Sequence, residues 1–171
     1  AVISTPDKNK LKISLASRDL VYHNLPTIKV YSSFISSVRN EGDSTIRIIS
    51  PAPCPEIKAR LIGNGRIVIR DCKATRINLE IISGNGTIMA TGTSSSAKYT
   101  VAGAGDIQAD DLKAEDVSAV ITGTGTIACF ATKELSVGGL GSGKINYRGT
   151  PAIKTKLLSK VKLISIDATA D

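Results

Sequence analysis

The sequence predicts an all-β protein, a right-handed parallel β-helix of about seven turns with capped ends, and three observations carry that expectation. Five Gly-x-Gly motifs are each followed two residues later by an isoleucine: Ile67, Ile88, Ile107, Ile127 and Ile145. Those isoleucines lie 21, 19, 20 and 18 residues apart. On either side of each glycine pair, apolar and polar residues alternate with the period of a strand. A repeat near twenty residues points to a solenoid, because one unit cannot bury its apolar face alone and its neighbours must stack. Strands that recur in one direction at that period lie parallel, about 4.8 Å apart, and the usual crossover rule makes the coil right-handed.

The chain is read as one β-helix domain over 1–171, with residues 1–30 as N-terminal strands or cap, 31–165 as repeat turns and 166–171 as a tail. Alternation predicts strands at Leu11–Leu15 and Thr27–Tyr31, placed to pair with or cover the first turn, since an uncovered end is a row of free donors and acceptors. The first turn centres on Gly42-Asp43-Ser44-Thr45-Ile46, with one glycine lost. Pro51, Pro53 and Pro55 cannot donate to a ladder, so 51–55 is expected to be an exposed loop.

Each regular turn then reads as strand, glycine corner, strand and polar connector. The strands before the glycines are expected at 58–62, 78–82, 98–102, 118–122 and 134–137, and those after them begin at the repeat isoleucines. A single helical turn is suggested near Ala109–Asp116. The last turn, with both glycines lost, is placed at Leu158-Ser159-Lys160-Val161. Stacking turns positions into columns: Ile46, Ile67, Ile88, Ile107, Ile127, Ile145 and Val161 inward, and Arg66, Thr87, Asp106, Thr126 and Lys144 outward. The mixed signs of the outward column favour a structural role over a catalytic one.

Composition fits this picture. The chain has 171 residues, 42% hydrophobic and 22% charged, which suits one folded domain rather than a disordered chain. With no Trp, two Phe and four Tyr, its interior must be narrow and filled by aliphatic side chains. The net charge of +7 is uneven: residues 121–171 hold seven Lys or Arg against three acids. That basic end, with Lys154, Lys156, Lys160 and Lys162, is read first as a solvated terminal rung that resists edge-to-edge pairing. An anionic glycan, nucleic acid or membrane headgroups are the alternatives, and nucleic acid is disfavoured because few aromatics interleave with the basic residues.

The chemical motifs lead away from catalysis. Cys54, Cys72 and Cys129 show no Cys-x-x-Cys spacing, so neither a disulfide framework nor a zinc site is indicated. Small, partly buried thiols are expected, with the pairing of any two left open. Gly138-Gly139-Leu140-Gly141-Ser142-Gly143-Lys144 matches the spacing of a phosphate loop but lacks the following Ser or Thr and the helix. The acidic group Asp110, Asp111, Glu115 and Asp116 reads as a solvated connector before a cation site. His23, the one histidine, lies outside the regular turns and reads as a surface or cap residue. No catalytic residue, metal ligand or cofactor is therefore assigned, and no binding residue can be named. No apolar run approaches the roughly eighteen residues that span a bilayer. The chain starts at Ala1 with its one methionine at Met89, so its N-terminus is read as processed or trimmed, which leaves export, with a signal peptide removed, open.

The glycine repeats, ending in Gly141-Ser142-Gly143-Lys144-Ile145-Asn146-Tyr147-Arg148-Gly149-Thr150-Pro151, resemble the putative autotransporter adhesin head GIN domain of many bacterial exported proteins. The resemblance spans roughly residues 27–165. It implies a right-handed parallel β-helix, export to the periplasm, outer-membrane surface or exterior, and adhesion; it carries no catalytic or ligand residues. The expected function is a non-enzymatic binding module that presents stacked polar faces to a protein or glycan, with oligomerisation open. The alternative is a self-associating, bactofilin-like scaffold, which needs bare apolar ends and a cytoplasmic start, whereas an adhesin needs capped ends and a signal peptide.

Overall fold

The computed structural model describes residues 2–7, 9–14, 27–32, 34–49, 51–156 and 159–167, and His23, Leu15 and Leu158 lie outside them. The chain divides into two compact units, Ala1–Tyr31 and Ser32–Asp171. In the first, β1 (Val2–Asp7) and β2 (Lys10–Ser14) form an antiparallel pair with Ile3 opposite Ile13. β1 includes Pro6, and proline is tolerated on an edge, which each strand of a two-stranded sheet is. The strand expected at Thr27–Tyr31 does not form; Val30 and Tyr31 are exposed there and no ladder engages the segment.

The second unit is the solenoid. Its strands are β3 (Ser37–Asn40), β4 (Thr45–Ile49), β5 (Cys54–Ile62), β6 (Arg66–Ser83), β7 (Thr87–Val101), β8 (Asp106–Ile121), β9 (Thr126–Gly139), β10 (Lys144–Arg148), β11 (Ala152–Thr155) and β12 (Lys162–Ser165). Every pairing among them is parallel. On the first wall Ile46, Ile67, Ile88, Ile107, Ile127, Ile145 and Leu163 stand in register, seven strands and so about six turns. The seventh member is thus Leu163 and not Val161. Lys162 N–H donates to Gly143 O at 3.2 Å, as Lys144 N–H does to Gly125 O one turn earlier, so this ladder fixes the register after the glycines are gone.

The expected polar connectors are strand as well. Beyond the first wall, Cys72-Lys73-Ala74 pairs with Gly92-Thr93-Ser94, and these with Leu112-Lys113-Ala114. This second wall buries Cys72, Ala74, Leu112, Ala114 and Ala131. A third wall carries the columns Ile57, Ile77, Ala97, Val117, Leu135 and Ala59, Leu79, Tyr99, Ala119, Val137, all buried. The suggested helical turn at Ala109–Asp116 lies wholly within β8. Its three-residue spacing of buried Ala109 and Leu112 arises at an irregular corner, where β8 has one residue more than β7 between Gln108 and Asp111 and three more than β9 between Ala109 and Lys113. The proline loop is also shorter than expected. Cys54 and Pro55 open β5, with Cys54 paired to Ala74 and buried while Pro55 stays exposed.

The interior is aliphatic and narrow, with one costly exception. Tyr99 is fully buried and its hydroxyl has no hydrogen-bond partner. An unpaired buried hydroxyl loses its hydration without return. Tyr99→Phe is therefore expected to raise stability by about 1 kcal/mol, read as a higher denaturation midpoint with an unchanged slope.

Candidate functional site

The outside of the first wall carries an in-register polar column along the solenoid. Arg66, Thr87, Asp106, Thr126 and Lys144 form one column, as the repeat predicts, and Val68, Met89, Gln108, Ala128 and Asn146 form the next. Outward positions two residues apart share a face, so these columns run side by side. The short side chain of Ala128 lies between Gln108 and Asn146 in its column and leaves an open depression of about 360 Å³. Asp106, Gln108, Asp110, Thr126 and Asn146 line it. Asp106 Oδ1 accepts a hydrogen bond from Thr126 N–H at 3.2 Å, which fixes the carboxylate against its own wall. The surface offers amide, hydroxyl and carboxylate groups suited to hydrogen-bonding hydroxyls or peptide groups.

A second open groove, about 580 Å³, lies along the second wall between Pro53 and Pro55 and the row Lys73, Thr75, Thr93, Ser95 and Glu115. The third wall is laced by ion pairs between successive turns: Arg60 with Glu80 at 2.8 Å, Arg76 with Glu56 at 3.9 Å and Lys154 with Glu134 at 2.7 Å. Exposed pairs of this kind contribute little stability.

The acidic group splits between two neighbourhoods. Asp111 faces Arg148 at 3.4 Å, and the same guanidinium reaches Asp167 at 3.4 Å and the Asp110 carbonyl at 3.5 Å. Arg148 and Lys113 flank the Phe130 ring at 5.5 and 5.8 Å. Glu115 instead pairs with Lys133 at 2.7 Å, which holds the Lys133 ammonium above its ordinary pKa. Among the described residues no three His, Cys, Asp or Glu side chains converge on one point. The three thiols are free and fully in the core rather than partly buried. Burial pushes Cys72 up to about 11 and Cys129 up to about 12, so neither is a thiolate at neutral pH. Gly138 and Gly139 end β9, Gly141–Gly143 form a corner and Lys144 opens β10, so the phosphate-loop spacing is a turn of the coil.

With the parallel coil and its polar walls described, comparison with known proteins becomes informative. Residues 2–151 match the family described as putative auto-transporter adhesin, head GIN domain. The chain belongs to this family. The match takes in the β1–β2 pair and stops before β11 and β12, so it begins and ends earlier than the glycine motifs had indicated. The head GIN domain description implies a surface binding role and an exported or surface location, and names no partner. Two crystal structures share the family's fold. One, described as a putative lipid binding protein from Parabacteroides distasonis, is 24% identical with a TM-score of 0.59, covering 77% of this chain and 58% of that one. The other, a putative adhesin from Bacteroides fragilis, is 25% identical with a TM-score of 0.55, covering 75% and 54%. The chain thus spans little more than half the length of either. No curated protein matches it. Among the described residues no helix is long and apolar enough to cross a membrane.

The sequence had placed the outward column correctly but not the depression beside it. That depression depends on one small residue, Ala128, at a position where larger side chains flank it along the column, a contrast visible only once the register is known.

Proposed function

We propose that this head GIN domain is a non-enzymatic, exported binding module whose first wall contacts a protein or glycan on a surface. The observation that carries the reading is the in-register polar column Arg66, Thr87, Asp106, Thr126 and Lys144 beside the depression between Gln108 and Asn146. A flat wall with hydrogen-bonding groups repeated every rung suits an extended or repetitive partner. The commitment of Asp106 to the Thr126 amide and of Asp111 to Arg148 supports binding over proton transfer. The likeness to the putative adhesin from Bacteroides fragilis supports the same class of role.

The test is a screen of the purified chain against immobilised matrix proteins and glycans, repeated with Gln108→Ala/Asn146→Ala. Binding that the double variant weakens at least about tenfold is expected. No binding above background, with filaments seen by electron microscopy, would overturn the reading in favour of a self-associating scaffold.

A further inference from the structure

Most charged side chains near the end of the coil are paired. Lys133 meets Glu115, Lys154 meets Glu134, and Arg148 meets Asp111 and Asp167. Lys144, Lys156, Lys160 and Lys162 are different: all four are exposed, and no carboxylate among the described residues pairs with any of them. The fold brings them to a single corner. Lys144 and Lys162 are direct partners in the β10–β12 ladder, one rung apart. Lys160 N–H donates to Gly139 O and Lys156 N–H to Val137 O, which fastens both to the end of β9. The stem of Lys156 lies across Gly138, so close that a Cβ there would meet its Cδ at 3.0 Å.

Placing like charges opposite one another on adjacent strands is unfavourable. Lys144 over Lys162 bears that cost, and among the described residues no carboxylate pairs with either. Protection of an open edge fits Lys156, Lys160 and Lys162, which stand on the last rung, but does not account for Lys144 on the penultimate one. A linear polyanion laid across the corner would meet ammonium groups at the rung spacing of about 4.8 Å.

We infer that this corner binds an acidic polysaccharide, a chain carrying a carboxylate on each sugar. Two other anionic partners fit less well. Nucleic acid binding uses aromatic platforms for the bases, and the ring on this rung, Tyr147, is partly buried against the core. Membrane adsorption needs an apolar face or an aromatic belt beside the charge, whereas Leu140 is the lone large apolar side chain exposed at the corner among the described residues. The inference rests on the binding-module reading but uses a different surface from the first-wall depression, so the two can fail separately.

The experiment uses polygalacturonate as the probe, with dextran as the neutral control, phosphatidylserine vesicles and duplex DNA as competing polyanions, and a salt series. Two triple variants are compared: Lys144→Gln/Lys160→Gln/Lys162→Gln at the corner, and Lys98→Gln/Lys133→Gln/Lys154→Gln elsewhere, which removes the same charge. Thermal melts verify that both are folded. The wild type is expected to bind polygalacturonate and not dextran, with affinity falling linearly in log salt at a slope of about −3 for four contacts. The corner variant is expected to lose about tenfold or more, while the control variant stays within about twofold. The inference is overturned by absent binding at low salt, by equal loss in both variants, or by tighter binding to vesicles or DNA. If polygalacturonate fails while the surface screen still responds to Gln108→Ala/Asn146→Ala, this inference falls and the binding-module reading stands.

Discussion

Ile107→Asp is expected to abolish the cooperative fold. Ile107 is fully buried and stands between Ile88 and Ile127 at the centre of the seven-membered column. The substitution removes an aliphatic side chain whose burial contributes roughly 1.5–3 kcal/mol. It also leaves a carboxyl group in a narrow aliphatic interior, where an unpaired polar group costs about 2 kcal/mol or more and a charge far more. The combined loss, about 4–5 kcal/mol, is comparable to the total stability of many domains. Circular dichroism and a denaturant titration would check it. A sharp transition near the wild-type midpoint would mean that the alignment of the inner column is wrong.

Gly123→Ala should cost about 3 kcal/mol, the upper part of the range for overpacking. A Cβ at Gly123 would lie 2.0 Å from the Gly103 carbonyl oxygen and 2.8 Å from its carbon. Both are backbone atoms, so no rotamer change relieves the clash. That same oxygen accepts from Thr124 N–H at 3.2 Å, and the rungs cannot part without stretching the bond. Gly42, where an added Cβ meets nothing, supplies the matched control: Gly42→Ala should be nearly neutral. Equal denaturation midpoints for the two alanine variants would remove close packing as the reason for the repeated glycines.

That pair of variants bears on what the sequence made legible. The Gly-x-Gly-x-Ile spacing reveals the parallel coil because each motif has to serve two demands at once, a corner without side chains and an inward isoleucine. Positive φ and close approach are both sound reasons for glycine at such a corner. The structure separates them: Gly63 and Gly84 have φ of +110° and +88°, whereas Gly103, Gly123 and Gly141 do not need positive φ and are held by proximity to the rung below. The second wall stayed hidden because its inward residues, among them Cys72, Gly92, Ser94 and Ala114, are too small or too polar to read as strand. The last rung was misplaced by two residues because nothing marks its corner once the glycines are lost, and a slip of two preserves the alternation.

The candidate site was less legible than the fold. A column such as Thr87, Asp106, Thr126 and Lys144 follows from the period alone. Which lysines lack partners does not, because Lys154 and Lys156 look alike in sequence and differ only in whether a glutamate stands one turn below. Pairing across turns joins residues some twenty positions apart, and neither composition nor local pattern records it.

The corner of β8 between its first two walls, one residue longer than that of β7 and three longer than that of β9, also shows how the coil accommodates length. Neighbouring rungs close over different numbers of residues, and most of the difference between β8 and β9 is taken up at that corner while the columns of the first and third walls stay in register. That corner is therefore an insertion point: a displayed peptide or reporter loop placed between Asp110 and Asp111 would project sideways while the first wall keeps its length of about 29 Å, six rung spacings of about 4.8 Å. The protein is in this sense a ruler with graduations set by backbone hydrogen bonds, onto which cargo can be hung at a chosen height.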